Sequence, residues 1–350
     1  MNIFITGATG FIGRHVCALL TAQGHEVVAL MRRPQELDLL RQRIAALGGD
    51  SRRLSCLAGD LGQPGLGIAE VVPALDVVVH LGARFAWKLD VPTARRVNVE
   101  GSLSVAELAR AQGARLVFAS GFMLENREHL EALGINPNVA DGVNWPRVYR
   151  RVGAYEASKL EAALKTRAFA LEKDVDGVEV QPATVAGHSR TGELDRSQPL
   201  YQLIDNLASG RLAMVPGTPS HWLPLVAVDV LAKLIAVAAT ASPVPRQILA
   251  LDAATPSLAD LLTLVADELG RKPPRRHIPL PMLSALLKVP GLPALMNTEP
   301  EALHFIQTSR FDTRATERFL TAQGIVMPPI ETVVRATAQA YRDKTEVAVP

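Results

Sequence analysis

Tyr155-Glu-Ala-Ser-Lys159 carries the clearest chemistry in the chain. A spacing of four places the phenol and the ammonium on one helical face, a turn apart. An ammonium there stabilises the phenolate and lowers the tyrosine pKa from about 10 toward working pH. Tyr155 then reads as a proton donor to a carbonyl oxygen whose carbon accepts hydride. Chance also produces this spacing, and a surface helix with a solvated lysine is the alternative. Here the match is the only one among 4 tyrosines, and it follows the fifth of a series of alternating strands and helices.

Hydride chemistry needs a carrier, and the first thirteen residues have the pattern of a holder for one. Gly7, Gly10 and Gly13 recur every third residue between an apolar strand, Asn2 to Ile5, and an apolar helical run, Phe11 to Leu20. Glycine at 7 permits a tight turn, at 10 it admits a pyrophosphate to the backbone, and at 13 it lets the helix pack close to the sheet. Three glycines among 25 are a weak sign by themselves; the strand before and the helix after give them meaning. The second strand ends at Met31, where an NAD site places a carboxylate for the ribose 2′-hydroxyl. Arg32 and Arg33 follow it, and Arg14 lies just past the glycine turn. Guanidinium groups offer bidentate contacts to a 2′-phosphate, so NADP(H) is favoured over NAD(H), with Arg32 the first candidate and Arg14 the second.

The elements that must position these residues alternate. Strands are expected at Glu26 to Met31, Arg53 to Gly59, Asp76 to Ala83, Arg115 to Ser120 and Val178 to Ala183. Helices are expected at Gln35 to Leu47, Pro92 to Gln112 and Tyr155 to Glu172. That alternation predicts an α/β fold, a Rossmann doubly wound parallel sheet, with a smaller mixed C-terminal substrate lobe. The boundary falls at 186, giving a dinucleotide-binding domain over 1–186 and a substrate-binding lobe over 187–350, with part of the later chain returning to the sheet. Gly121 to Gly153 breaks the rhythm and is expected to form a flap over substrate. Ile278 to Leu295 is the most apolar stretch, but Pro281, Lys288, Pro290 and Pro293 interrupt it. A lid over an apolar substrate or a partner surface is expected rather than a membrane span, with plain core packing the alternative.

Composition narrows the classes. A 350-residue chain with 48% hydrophobic and 21% charged residues can bury a full core, and a net charge of +2 leaves no footprint for nucleic acid. Cys17 and Cys56 read as buried small apolar residues rather than a disulfide or metal pair, and no cluster has metal-ligand spacing. With a strand starting at residue 2 and no room for a leader, a cytoplasmic protein is expected. His80 reads as a core histidine. His221-Trp222 is either a cleft lining or an ordinary loop aromatic.

Thr6-Gly-Ala-Thr-Gly-Phe-Ile-Gly13, Asp60-Leu61, His80-Leu-Gly-Ala83, Asn98-Val-Glu-Gly101, Leu116 to Ser120 and Tyr155 to Lys159 together resemble the extended short-chain dehydrogenase/reductase family, which includes the NAD-dependent epimerases/dehydratases, over nearly the whole chain. The resemblance implies Tyr155 and Lys159 as the catalytic pair and Asn98 in the helix beneath the site. Cofactor contacts are implied at Gly7, Thr9, Gly10, Phe11, Ile12, Gly13, Arg14, Arg32, Asp60, Leu61, Leu81, Gly82, Ala83, Tyr155, Lys159, Pro182 and Val185. Gln181 stands where the family usually has Arg. Gly187-His-Ser-Arg-Thr-Gly192 is similar to a turn of the fatty acyl and thioester reductase branch, and dihydroflavonol-reductase-like proteins share most of the same pieces. The family also implies a homodimer through helices 92–112 and 155–172.

One slot departs from the family. Its catalytic Ser or Thr normally stands where this chain has Gly121, and Ser120 lies one residue earlier. Either Ser120 acts, or another hydroxyl from the long loop does, or catalysis is weakened. The leading expectation is an NADPH-dependent oxidoreductase that reduces an aldehyde, a ketone or an acyl thioester, acting on a small molecule of apolar or acyl character. A nucleotide-sugar epimerase or dehydratase, and a catalytically weak dinucleotide-binding sensor or scaffold, are the alternatives.

Overall fold

A computed structural model describes residues 1–86, 88–139 and 141–346. The chain divides into two units: residues 1–181, 231–249 and 318–323 in the first, and 182–230, 250–317 and 324–350 in the second.

The first unit begins β1 (Asn2–Thr6), α1 (Phe11–Ala22), β2 (Glu26–Met31), α2 (Leu37–Ala46), β3 (Leu54–Ala58) and β4 (Val77–His80). It continues α3 (Val91–Ala94), α4 (Gly101–Gln112), β5 (Arg115–Ala119), α5 (Arg127–Leu133), α6 (Trp145–Val152), α7 (Ala154–Glu172) and β6 (Gly177–Pro182). Then follow β7 (Thr184–Ala186), α8 (Pro199–Ala208), β8 (Val215–Pro216), β9 (Leu225–Ala227), α9 (Val228–Thr240) and β10 (Gln247–Ala250). The chain ends α10 (Leu258–Glu268), β11 (His277–Ile278), α11 (Leu280–Leu286), α12 (Leu292–Met296), α13 (Arg314–Ala322) and α14 (Ile330–Glu346).

Seven strands form one sheet in the order β10-β6-β5-β4-β1-β2-β3. Every pairing from β3 through β6 is parallel. Chain order reverses between β1 and β4, and that switch opens the crevice where doubly wound sheets bind ligands. Val77, Val78 and Val79 are fully buried because helices cover both faces, which explains the continuous apolar runs. Phe4, Val78, Leu116 and Phe118 pack on one face against Val105, Ala106 and Ala109 of α4. The Rossmann expectation therefore holds.

Three expectations needed correction. The segment 121–153 is not a bare loop, for it contains α5 and α6. Asn126 caps α5 by accepting from the His129 amide at 3.0 Å, and Gly134 closes it at φ +74°. Asn144 caps α6 the same way, with Pro146 in its first turn. Those capping residues were the legible signal. Second, β4 stops at His80 rather than Ala83, and Leu81 to Ala83 turn away as loop. Third, Cys56 is only partly buried, on the edge strand β3, although Cys17 is enclosed in α1; both are free thiols.

The helix at 91–112 contains a π-helical stretch over Arg95–Glu100. Helix α7 buries 10 of its 19 residues. Its Glu161 is fully enclosed and accepts from Tyr149 of α6 at 2.8 Å, Arg95 at 3.0 Å and Lys165 at 2.7 Å. Helix α6 thus lies over part of the helix pair expected to make a dimer contact. Among the described residues no helix is long and apolar enough to cross a membrane.

Candidate active site

The glycine turn follows β1 directly. Gly7 sits at φ +76°, which an L side chain rarely adopts, and an added Cβ there would lie 2.8 Å from the Gly82 amide nitrogen. At Gly13 an added Cβ would fall 2.1 Å from the Gly7 carbonyl oxygen and 2.8 Å from the Ala8 Cα. The closest approach is to the turn that follows β1. Gly10 differs, since its Cβ would meet only the Gly7 oxygen at 3.2 Å. Thr9 and Gly10 are exposed. No side chain caps α1 and no carboxylate stands in its first turn, so the amides of Phe11, Ile12 and Gly13 face an uncapped helix start.

Three strand ends meet beside this turn. Thr6 donates to His80 Nδ1 at 2.7 Å and accepts from the Gly82 amide at 3.1 Å. His80 Nε2 lies 2.8 Å from Ser102 Oγ, which itself donates to the Asn98 carbonyl at 2.5 Å. Because Ser102 donates its proton to Asn98, His80 must donate from Nε2, and its lowered pKa leaves the ring neutral with Nδ1 accepting from Thr6. Burial, with the Lys159 charge nearby, pushes its pKa down to about 3. Gly82 and Gly101 leave room for Leu61, whose Cδ1 would lie 2.6 Å from a Cβ at 82 and whose carbonyl oxygen 2.7 Å from one at 101. Asp60 accepts from the Gly62 amide at 2.8 Å and so shapes the turn after β3.

Asn98, in the π-helical stretch, ties this loop to α7. Its Oδ1 accepts from the Arg84 amide at 2.7 Å, and its Nδ2 donates to Ser158 Oγ at 2.9 Å. Ser158 donates in turn to the Tyr155 carbonyl. The first turn of α7 is thereby fixed against the loop after β4.

Tyr155 packs edge-on against Phe85, with ring centroids 4.6 Å apart. Lys159 donates from Nζ to the Ala119 carbonyl at the end of β5, at 2.8 Å. Here the electrostatics differ from expectation. Burial pushes the Tyr155 phenol up to about 12 and the Lys159 ammonium down to about 8. Desolvation of each group outweighs the stabilisation that the spacing suggested.

Ser120 and Gly121 divide the catalytic slot between them. Ser120 is buried, and its Oγ has no hydrogen-bond partner among the described residues. Gly121 has extended backbone, φ −178°, and a Cβ there would meet nothing within 4 Å. The hydroxyl faces inward and the open slot lacks one.

At the end of β2, Met31 is buried and Arg32 exposed. Arg33 pairs with Glu36 at 2.8 Å, while Arg32 has no ion-pair partner among the described residues. Arg14 lies over the Phe11 ring, 5.2 Å from its centroid. Pro182 ends β6 and Val185 lies in β7, both in the second unit. Gln181 is buried with Nε2 unpartnered. The Gly187–Gly192 turn is structural: the Gly187 amide donates to Thr337 of α14, and Ser189 donates twice to Asp229. A Cβ at Gly192 would fall 1.9 Å from the Ala336 carbonyl oxygen. Trp222 is core, enclosed and donating to the Ser309 carbonyl, with Arg310 over its ring at 3.9 Å. Among the described residues no group of three or more His, Cys, Asp or Glu could hold a metal.

The large subunit of L-2-aminoadipate reductase from Penicillium chrysogenum is 29% identical over 227 residues, 58% of this chain and 16% of that protein. An aldehyde reductase from Aspergillus flavus, lnaA, is 26% identical over 251 residues, 65% of this chain and 23% of that one. The chain thus spans less than a quarter of the length of either relative. The terminal R domain of the myxalamid polyketide–nonribosomal peptide pathway superposes with a TM-score of 0.74 at 20% identity, covering 99% of this chain and 91% of that one. Residues 5–235 match the family described as male sterility protein, an NAD-binding family. With that match over most of the sheet-forming sequence, the chain belongs to the male sterility family of the extended short-chain dehydrogenases/reductases.

Proposed function

We propose that the chain is an NADPH-dependent reductase of an aldehyde or acyl thioester, with Tyr155 as proton donor. One arrangement carries this reading: the uncapped α1 start, the loop after β4 and the Tyr155–Lys159 turn are tied together through Thr6, His80, Asn98 and Ser158. Gly7, Gly10 and the amides of Phe11 to Gly13 suit a pyrophosphate, because a side chain at 10 would occupy open space beside them. The reduced dinucleotide, when bound, supplies hydride to the carbonyl carbon. Tyr155, neutral because burial holds its proton, delivers that proton to the carbonyl oxygen. Lys159, fixed on Ala119, holds positive charge beside the strand end. Oxidation of NADPH against a panel of aldehydes, ketones and acyl thioesters tests the reading; no turnover on any of them would leave only a dinucleotide-binding protein.

Arg32 is the group we assign to the 2′-phosphate, since it is the unpaired guanidinium at the end of β2. Arg32→Ala is expected to raise KM for NADPH by about tenfold or more, the scale of a charge-assisted contact, with KM for NADH little changed. An equal effect on both cofactors would remove that assignment.

Ser120 lies one position off the open slot, so we propose that Tyr155 is the sole side-chain donor to the carbonyl. Ser120→Ala is expected to leave kcat/KM within about threefold and to stabilise the fold by roughly 1 kcal/mol, because an unpaired buried hydroxyl costs about 1–3 kcal/mol. Gly121→Ser puts a hydroxyl into the empty slot and is expected to raise kcat at unchanged Tm. A hundredfold loss in Ser120→Ala would instead make that serine catalytic.

A further inference from the structure

The second unit presents a basic, partly apolar surface around residues 271–296. Arg271, Lys272, Arg275 and Arg276 are exposed in one short run around Pro273-Pro274, and none has an ion-pair partner among the described residues. The run is held in place rather than loose. The Val215 amide donates to the Arg276 carbonyl at 2.8 Å, and β8 pairs with β11 immediately after it. The groove along the run is lined by those four cations, by the two prolines between them, and by residues 207–210, 212 and 213, with no carboxylate.

Exposed apolar residues follow the run along the chain. Leu283 of α11 and Leu287 just after it are buried against Ile278 and Leu303. The outer face of α11 leaves Met282 57% exposed; beyond it, Val289 is 48% and Leu295 71% exposed, with exposed Lys288 just before Val289. Leu212 and Ala213 line both the basic groove and an apolar cavity of about 140 Å³ bounded by Leu283, Met296 and Leu303. That volume is comparable with the roughly 150 Å³ of an engineered apolar cavity that takes up benzene, so it admits the end of an acyl chain.

Unpaired cations next to exposed Met, Val and Leu form the pattern of an interfacial segment: the cations meet anionic headgroups and the apolar side chains enter the acyl boundary. An acidic protein surface would also use the cations, but exposed Met, Val and Leu beside a cavity sized for a chain end match an acyl boundary more closely than a typical protein rim. We propose that residues 271–296 dock this protein on the surface of an anionic lipid bilayer, without spanning it.

Co-sedimentation of the full chain with vesicles tests this. Vesicles of phosphatidylcholine with phosphatidylglycerol are expected to bind at least tenfold more strongly than pure phosphatidylcholine, and raised salt weakens the difference. Arg275→Glu/Arg276→Glu is expected to lose at least tenfold, because each basic residue near such a surface is worth about fivefold in partition. Met282→Ser/Leu295→Ser is expected to lose severalfold while keeping the salt sensitivity. Both variants change exposed side chains, and thermal unfolding checks that they fold; Arg271→Gln/Lys272→Gln serves if either does not. Protein left in the supernatant with anionic vesicles at low salt overturns the proposal, as does wild-type partition of the charge-reversed variant. Binding to an acidic protein without binding to vesicles overturns it equally. None of these readouts depends on turnover.

Discussion

Tyr155→Phe is expected to lower kcat for carbonyl reduction by about 10²- to 10⁴-fold, the range attributed to a positioned general acid. The fold should be unaffected, because Phe keeps the edge-on contact with Phe85 and Tyr155 anchors its helix through its backbone carbonyl. Cofactor affinity should change little, so the loss falls on kcat rather than on KM for NADPH. The pH profile carries separate information. The phenol is pushed up to about 12 and stays protonated through the working range, while Lys159 is pushed down to about 8. A group with a lowered pKa gives up its proton earlier as pH rises, so wild-type activity is expected to decline through about pH 8. Lys159→Met should remove that alkaline limb together with most of the rate. Steady-state kinetics across pH, with thermal unfolding as the control, check both; full activity in Tyr155→Phe would sink the mechanism.

Gly13→Ala is expected to damage both stability and cofactor binding, whereas Gly10→Ala damages binding alone. The Cβ at 13 would fall on the Gly7 carbonyl oxygen, and backbone atoms cannot yield as a flexible side chain can. The turn must open, at a cost toward the upper end of the ~1–3 kcal/mol typical of overpacking. Opening it also moves Gly7, which abuts Gly82, and so disturbs the loop after β4. At 10 the added methyl meets one oxygen at 3.2 Å, so the fold tolerates it while the methyl stands where a pyrophosphate would lie. Thermal unfolding paired with NADPH titration separates the two outcomes. A Gly13→Ala protein with wild-type Tm and affinity would show that the turn is not so tightly built.

The capping residues of α5 and α6 show how a local signal is lost in context. Asn126, Gly134 and Asn144 were readable as helix ends, but the helices between them are short and lie in a stretch rich in turn dipeptides. Cys56 and the early end of β4 were hidden for another reason. An edge strand, and a strand that must release its last residues into a loop, depend on neighbours far along the chain.

The sequence by itself determined what is written in spacing. Gly7, Gly10 and Gly13 specify a turn into a helix; the apolar runs specify parallel strands; Tyr155 and Lys159 share a face because four residues make a helical turn. All of these act over a few residues, which is why spacing alone records them. Tertiary structure decided the electrostatics and the choice among equals. Lys159 is held by Ala119, 40 residues away, rather than by its tyrosine. Arg33 is paired and Arg32 is not. Ser120 is turned inward while Gly121 faces open space. Desolvation and partner choice are set by whatever segments pack around a group, and spacing along the chain carries no record of them.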